Sequence, residues 1–105
     1  MNASEHDVSV VDNPNAHRYE IWFDGKRAGY ALYRREDGVT VFMHTEIDPA
    51  FEGHGLGSRL ASGALDDVRE HGRSVVALCP FIASYIRDHP QYADLTQRGR
   101  DASDR

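Results

Sequence analysis

The sequence predicts a single α+β domain in which antiparallel strands precede a strand–helix–strand crossover and a short C-terminal helix. Three observations lead to this prediction. Two Asp-Gly pairs separate segments that alternate apolar and polar residues, as in β-hairpins. After Pro49 the apolar period changes from two to about 3.6, which is typical of an amphipathic helix. At 105 residues, the chain has room for one modest core and not for a second domain.

The predicted antiparallel strands are the segments RYEIWF, RAGYALYRR and VTVFMHTEI, which begin at Arg18, Arg27 and Val39. The two Asp-Gly turns join these segments, and no helix is expected among them. The chain before Arg18 is polar and irregular apart from VSVV, which is either an edge strand or part of a loose lead-in. We favour a lead-in that contains a short strand. The core is therefore expected over residues 18–95, with 1–16 and 96–105 loose.

A helix is predicted over residues 58–71, because five apolar residues share one helical stripe: Leu60, Ala61, Ala64, Leu65 and Val68. Gly72 is the expected C-terminal cap. The run SVVALC that follows is continuously apolar, which is typical of a strand buried on both faces. A last short helix follows Pro80 and stops at Pro90, because Ile82, Tyr85, Ile86 and His89 again share a stripe.

The crossover places a glycine-rich loop at a position where ligands bind in open sheets. A right-handed crossover makes its two strands parallel, so the ends at Ile47 and Cys79 lie together. Gly53, Gly55 and Gly57 lead into the helix, whose first N–H groups and positive dipole end favour an anion such as phosphate. The alternative is a solvated loop whose glycines only make a tight turn. The spacing fits neither a P-loop nor a dinucleotide fingerprint.

Strict alternation along VTVFMHTEI predicts that Thr40, Phe42, His44 and Glu46 share one face of the strand. His44 and Glu46 then face the same way near the ligand end. Shielding by Phe42 and Phe81 would raise the pKa of Glu46 and suit it to act as a general base, directly or through a water. The alternative is an ordinary half-exposed strand face with polar residues.

Two segments together resemble the GNAT superfamily of acetyl-coenzyme A dependent N-acetyltransferases, in particular its short stand-alone branch. HTEIDPAFEGHGLGSRL matches the pyrophosphate loop pattern of Gln or Arg, two residues, Gly, one residue, and Gly or Ala. HGRSVVALCPFIASYIRDHPQY is similar to the Cys-Pro-Phe strand exit and the Tyr-bearing helix of the short branch. The resemblance covers about 18–95 and implies a GNAT-like minimal fold.

The resemblance also implies that acetyl-coenzyme A is the co-substrate and that an amine is the acceptor. The implied cofactor-binding residues are those of the loop and of the strand end before it: Ile47, Gly53, His54, Gly55, Leu56, Gly57 and Ser58. Backbone amides of the loop would hold the pyrophosphate, and the pantetheine arm would pass between the strands that end at Ile47 and Cys79.

The sequence departs from the superfamily pattern in two places. Glu52 stands where Gln or Arg is usual, which puts a negative charge near the proposed phosphates. We expect its side chain to point into water, leaving its backbone N–H to help, and Arg59 or Arg73 are candidates to compensate the charge. The pair of helices that often walls the acceptor pocket is missing between the first two strands, so the identity of the acceptor does not carry over.

The candidate catalytic residues are Cys79, Glu46, Tyr85 and His44. A lone Cys at the end of an apolar strand is either a buried small hydrophobe or, beside the thioester, a nucleophile that forms an acetyl-Cys79 intermediate. In the other route Glu46 deprotonates the amine and Cys79 only lines the channel. The resemblance gives Tyr85 the role of donating a proton to the departing thiolate, whereas packing in the core is the alternative.

Composition and residue spacing argue against several other classes of function. A net charge of −5 does not favour binding to nucleic acid or to an anionic membrane surface. The single Cys and the absence of a secretory signal pattern predict a cytoplasmic protein. Six His residues show neither the pairing nor the Cys partners of zinc sites, so no metal is expected.

We expect a monomer or a weak homodimer that binds a coenzyme A thioester and an amine. The rival interpretations are a noncatalytic acyl-coenzyme A binding or sensing module and a small interaction domain without a ligand.

Overall fold

The computed structural model describes residues 6–96, which form one mixed sheet with two α-helices packed on one of its faces. In chain order the elements are β1 (Val8–Asn13), β2 (Arg18–Phe23), β3 (Lys26–Glu36), β4 (Val39–Ile47), α1 (Leu56–Glu70), β5 (Ser74–Ala77) and α2 (Pro80–Asp88). Three short 3-10 helices, Pro14–Ala16, Pro49–Phe51 and Pro90–Tyr92, lie in the connections. The predicted α+β class is confirmed.

The strands lie in sequence order across the sheet, from β1 to β5. The first four are antiparallel neighbours, and β5 runs parallel to β4 as expected for a crossover through α1. Both Asp-Gly turns adopt positive φ angles at each of their residues, which matches the twist of two-residue hairpins. The observed bounds of β2 and β4 coincide with those that the sequence predicts.

Of the two alternatives for the chain before Arg18, the structure shows the edge strand. All six residues of β1 pair with β2. Its Val10 packs against α1, where a Cβ on Gly63 would come within 2.8 Å of the valine side chain. The predicted loose ends lie partly outside the described residues, at 1–5 and 97–105.

Helix α1 spans the sheet and ends as the sequence predicts. Its stripe of Leu60, Ala61, Ala64, Leu65 and Val68 is fully buried against the sheet. Gly72 has φ +68°, Arg73 N–H donates to Val68 O, and Gly72 N–H donates to Arg69 O. This pair of bonds is a Schellman cap, which satisfies carbonyls that the end of a helix leaves open.

The prediction that β5 is buried on both faces is wrong. Val76 is 41% exposed, and Leu78 beyond the strand is 62% exposed. Both helices pack on one face of the sheet, so in β5 the side chain of Val75 is covered and that of Val76 is not. The strand also ends at Ala77 rather than at Cys79, because the N–H groups of Leu78 and Cys79 both donate to Phe42 O and the ladder cannot continue.

Strict alternation along β4 is interrupted by a β-bulge at Met43. In the pairing with β3, Leu32 lies opposite His44 and Tyr33 lies opposite Phe42, so Met43 has no partner. A bulge adds one residue to the strand and reverses the faces of the residues after it. The prediction that Phe42, His44 and Glu46 share a face is therefore wrong.

After the bulge, Thr45 and Ile47 face the helices together with Phe42, whereas His44 and Glu46 face the other way. We call this second side the outer face. It is formed by alternate residues of β1 to β4 that include Glu20, Trp22, Tyr30, His44 and Glu46.

A polar network ties the sheet to the C-terminal half of α1. Arg35 donates to Tyr19 Oη at 2.8 Å and to Tyr33 Oη at 2.9 Å, and it pairs with Asp12 Oδ2 at 3.0 Å. Tyr19 in turn donates to Asp67 Oδ2 at 2.7 Å. The network joins β1, β2, β3 and α1 at the end of the helix that is remote from the glycine loop.

Within residues 6–96, no helix is both long enough and apolar enough to cross a bilayer.

Candidate active site

The glycine loop presents backbone rather than side chains at the start of α1. Asp48 caps the 3-10 turn before the loop by accepting from Ala50 N at 2.9 Å. Gly53 and Gly55 adopt φ angles of +91° and +67°, and a Cβ at either would meet no atom of residues 6–96 within 4 Å. The chain is thus held in a conformation that favours glycine, and open space lies beside it.

The first N–H groups of α1 have no partner among the described residues. Gly55 is the N-cap of the helix and makes no side-chain capping bond. None of the N–H groups from 53 to 58 donates to another described residue, and the first helical bond runs from Arg59 N to Gly55 O. Unpaired donors at a helix N-terminus bind anions together with the helix dipole.

The side chains of Leu56 and His54 are engaged elsewhere, which leaves the backbone of these residues at the loop. The Leu56 side chain is buried in the core at 3% exposure, so only its backbone faces the loop. The His54 ring packs on Phe23 at 4.6 Å and near His6 at 5.4 Å between ring centroids. His54 thus contacts the last residue of β2.

The two expectations for the charge around the loop have different outcomes. Glu52 is exposed, as expected, but its N–H donates to Pro49 O at 3.3 Å and is therefore already used. Arg59 lies exposed in the first turn of α1. Arg73 follows the last turn, about 20 Å away along the helix axis, so it cannot offset Glu52.

Phe81 explains the third glycine of the loop. A Cβ on Gly57 would lie 2.9 Å from the end of the Phe81 ring. The first turn of α2 therefore lies directly against the first turn of α1. Phe81 remains 41% exposed, so its ring covers this junction only in part.

Strands β4 and β5 separate at Phe42, and β4 continues alone. Phe42 is the last β4 residue paired with β5, and its carbonyl oxygen accepts from both Leu78 and Cys79. From Met43 to Ile47 the edge of β4 that is turned away from β3 has no pairing with β5. The opening lies at the carboxyl ends of two parallel strands, where open α/β sheets bind their ligands.

Cys79 lies on the helix side of this opening. It is the N-cap of α2 and is 3% exposed. Its Sγ donates to Thr45 Oγ1 at 3.3 Å. Thr45 was not among the predicted site residues, because strict alternation along β4 places it on the face opposite to Phe42.

His44 and Glu46 lie on the opposite, outer side of β4. Their side chains are 56% and 59% exposed, with His44 Nε2 3.5 Å from Glu46 Oε1. Tyr30 of β3 donates to Glu46 Oε2 at 3.2 Å, and burial together with this hydrogen bond raises the pKa of Tyr30. The expected shielding of Glu46 by Phe42 and Phe81 is wrong, because the bulge turns the carboxylate away from both rings.

Tyr85 lies on α2 with its ring stacked on His89, at 3.8 Å between centroids and an interplanar angle of 15°. Its ring is half-buried and packs against the core. His89 Nδ1 lies 2.8 Å from Tyr85 O, which fixes the two rings relative to each other. The structure thus assigns Tyr85 a packing contact that the sequence allowed as one of two alternatives.

No group of three or more His, Cys, Asp or Glu side chains is arranged to hold a metal ion among residues 6–96.

Unpaired amides at the start of a crossover helix, beside two strands that separate, are the arrangement expected of the acyltransferase class that the sequence resembles. The chain belongs to the GCN5-related N-acetyl-transferase family, whose model matches residues 18–95. This family generally uses acetyl-coenzyme A, and the unpaired amides and glycine-lined space of the loop fit the phosphates of such a molecule.

Curated relatives carry the name Protein NATD1. The chain is 36% identical to the Xenopus tropicalis protein over 69 residues, which is 63% of each chain. It is also 36% identical over 61 residues to the proteins of Mus musculus and Homo sapiens, covering 56% of this chain and 56% and 54% of theirs. The chain thus spans between about half and two thirds of the length of the relatives that it matches.

Proposed function

We propose that the protein transfers an acetyl group from acetyl-coenzyme A to an amine. The observation that carries this proposal is the position of the unpaired amides at the start of α1, next to the opening between β4 and β5. The loop binds the pyrophosphate through backbone N–H groups from Gly53 to Ser58. The edge of β4 up to Ile47 offers backbone donors and acceptors to the pantetheine arm.

The cofactor supplies a thioester whose carbonyl carbon bonds to the amine nitrogen as the C–S bond breaks. The amine must lose a proton, and the leaving thiolate must gain one. Glu46 takes the proton that the amine loses, directly or through a water, since its carboxylate is exposed on the outer face next to His44. His44 orients the carboxylate, and Tyr85 gives a proton to the leaving thiolate.

Direct transfer accounts better for the surroundings of Cys79 than a covalent intermediate. The thiol is almost fully buried and is bonded to Thr45, whereas a nucleophile must reach the carbonyl carbon. Cys79 then lines the channel. Intact mass after incubation with acetyl-coenzyme A tests this assignment. An acetyl adduct, together with loss of activity in Cys79→Ala, would establish the covalent route instead.

The role of Glu46 is tested with a matched pair of variants. Glu46→Gln is expected to lower kcat/KM for amines by about 100-fold, in the range of a lost general base. Its affinity for coenzyme A, measured by calorimetry, should not change. Glu36→Gln alters a similarly exposed carboxylate at the far end of β3 and should have wild-type kinetics. Equal activity of the two variants would remove Glu46 from the mechanism.

The role of Tyr85 is tested in the same assay. Tyr85→Phe keeps the stack on His89 and removes only the hydroxyl, so it should lower kcat without changing coenzyme A binding. An unchanged kcat would leave Tyr85 as a packing residue.

The second candidate is a noncatalytic acyl-coenzyme A binding module. A 3-10 turn links β1 to β2, where the superfamily usually has the two helices that wall the acceptor pocket. This reduced wall on the outer face favours binding without an acceptor. Calorimetry with coenzyme A and thiol release over a panel of amines separate the candidates. Binding without turnover of any amine identifies the binding module. Absence of binding rejects both.

A further inference from the structure

A cavity of about 350 Å³ opens on the outer face beside the proposed base. It lies between the start of β3 and the end of β4, and its lining includes Arg27, Gly29, Tyr30, Glu46, Asp48 and Pro49. This volume lies within the range of sites for small molecules. The glycine loop leads into α1 on the helix side of β4, so the cavity and the loop lie on different sides of this strand.

The floor of the cavity is rigid. Gly29 lies in the β3 ladder opposite Ile47, and a Cβ at Gly29 would come within 2.5 Å of Glu46 O. Asp48 N donates to Ala28 O at 2.8 Å and extends the pairing beyond the end of β4. The walls of the cavity are therefore fixed relative to each other by backbone hydrogen bonds.

Charges of both signs face this cavity. Glu46 and Asp48 provide carboxylates, and Tyr30 holds Glu46 by a hydrogen bond. Arg27 provides a guanidinium on the same outer face, because it pairs with Trp22 in the ladder. The arrangement thus has an acidic part that suits an ammonium group and a basic part that suits an anion.

Arg27 has spare hydrogen-bonding capacity. The nearest carboxylate oxygen, Glu20 Oε2, is 3.9 Å from Arg27 Nη1, at the outer limit of an ion pair. That same oxygen already accepts from Arg18 Nε at 2.8 Å and from Asn13 at 3.1 Å, while Trp22 donates to Oε1 at 3.1 Å. Glu20 is therefore satisfied without Arg27. Within residues 6–96 no hydrogen bond occupies the Arg27 guanidinium, which can therefore bind a carboxylate through two parallel hydrogen bonds.

We propose that the acceptor is a small primary amine that carries a carboxylate at its other end, bound in this cavity. The amine nitrogen lies toward Glu46 and the carboxylate lies on Arg27. The proposal rests on the acetyltransferase function above, because it assigns the acceptor of that reaction. A diamine would bring a second ammonium group to Arg27, which repels it, and a simple alkylamine would leave Arg27 unused.

Three acceptors of equal chain length test the assignment: 5-aminopentanoate, pentylamine and pentane-1,5-diamine. We expect kcat/KM for 5-aminopentanoate to exceed that for pentylamine by tenfold or more, with the diamine below both. In Arg27→Gln the ratio between the first two should fall toward one. Arg34→Gln, an exposed Arg of the same strand that pairs with Glu36, should keep the wild-type ratio. Calorimetry with coenzyme A checks that both variants are folded.

Each outcome separates this inference from the proposed function. Turnover of all three amines without preference, or with a preference for the diamine, overturns the cavity assignment and leaves the acetyltransferase in place. If no amine is turned over, 5-aminopentanoate is titrated into the complex with coenzyme A. Saturable binding that Arg27→Gln weakens tenfold or more would keep the cavity as a binding site for the amino carboxylate but overturn its role as the acceptor, whereas absence of binding would overturn the cavity assignment altogether.

Discussion

The two ends of helix α1 differ in what they offer to the rest of the molecule. At the N-terminal end, the chain exposes backbone amides with no described partner and holds two glycines at positive φ beside open space. At the C-terminal end, Asp67 joins a network of Tyr19, Tyr33, Arg35 and Asp12 that cross-links three strands to the helix. One end is equipped for a ligand, and the other holds the fold together.

This difference shows how so small a domain can leave polar backbone groups open. Each unpaired donor costs stability unless a ligand or water satisfies it, and each glycine costs conformational entropy on folding. The charge-assisted hydrogen bonds at the other end contribute more than neutral ones, and they act where no ligand is expected. Binding and stability are therefore assigned to different turns of the same helix.

The largest expected effect comes from breaking the network. Arg35→Met leaves Asp12 without its ion pair and removes the donor to Tyr19 and Tyr33, while the side chains of Arg35 and Asp12 are only about one-fifth exposed. The free energy of unfolding should fall by about 2–3 kcal/mol, below the range for a fully buried pair. Urea unfolding measures this change.

A neighbouring arginine serves as the control for that measurement. Arg34 is exposed, and its ion-pair partner within residues 6–96 is Glu36, so Arg34→Met should change the free energy of unfolding by less than about 0.5 kcal/mol. Coenzyme A affinity should be unchanged in both variants after correction for the unfolded fraction. Equal destabilisation by the two variants would show that the network does not anchor the helix.

A matched pair of glycines sharpens the comparison at intermediate magnitude. Gly55 and Gly72 have φ angles of +67° and +68°, one at each end of α1, and at either position a Cβ would meet no described residue within 4 Å. Alanine at either one should cost about 1–2 kcal/mol of stability from backbone strain alone. Only Gly55→Ala should also weaken coenzyme A binding, by about tenfold. Equal coenzyme A affinities of the two variants in calorimetry would show that the loop does not contribute to cofactor binding.

The network should also make stability depend on alkaline pH. Burial and hydrogen bonds to Asp67 and Asp12 raise the pKa values of Tyr19 and Tyr33 above the ordinary value near 10. Below pH 10 both tyrosines are neutral in the folded and unfolded chains, so this stabilisation is fully present. Above pH 10 the unfolded chain loses its tyrosine protons first, and stability falls.

The measurement is the urea midpoint between pH 9 and pH 11.5, for the wild type and for Tyr19→Phe. The wild-type midpoint should decrease throughout this interval, and that of the variant should decrease less steeply. Parallel curves would mean that Tyr19 ionises equally in both states.

The smallest expected effect is at the ligand end, where Glu52 departs from the superfamily pattern. Because Glu52 is exposed, salt and water screen most of its repulsion of a phosphate. Glu52→Gln should tighten coenzyme A binding about threefold or less at low ionic strength, and stability should not change. An effect of tenfold or more would mean that the carboxylate turns toward the ligand.

Local patterns were sufficient to predict most of the fold. Alternation and the two Asp-Gly turns predicted the bounds of β2 and β4, and the apolar stripe predicted α1 to within two residues at its start. Gly72 was recognisable as a cap because helix ends have a residue preference. These features depend on neighbours in sequence, so the sequence carries their signal directly.

The parts that could not be predicted depend on pairing across the sheet. The bulge at Met43 arises from the register with β3, which no local pattern in β4 records, and it decides whether Thr45 or His44 faces Cys79. The exposure of β5 depends on both helices packing on one face. The sequence could not predict a binding role for Arg27, because that role depends on Glu20 accepting hydrogen bonds from other donors.

The bulge in β4 also determines where the chain tolerates a change in length. Met43 is 41% exposed and has no partner opposite it, so removing this residue would turn the bulge into a regular ladder and keep Thr45 and Ile47 under the helices. Removing Thr45 instead would delete the partner of the Cys79 thiol, while His44 and Met43 would compete for its place. Single-residue deletions in this strand should therefore be tolerated at Met43 and rejected two positions later.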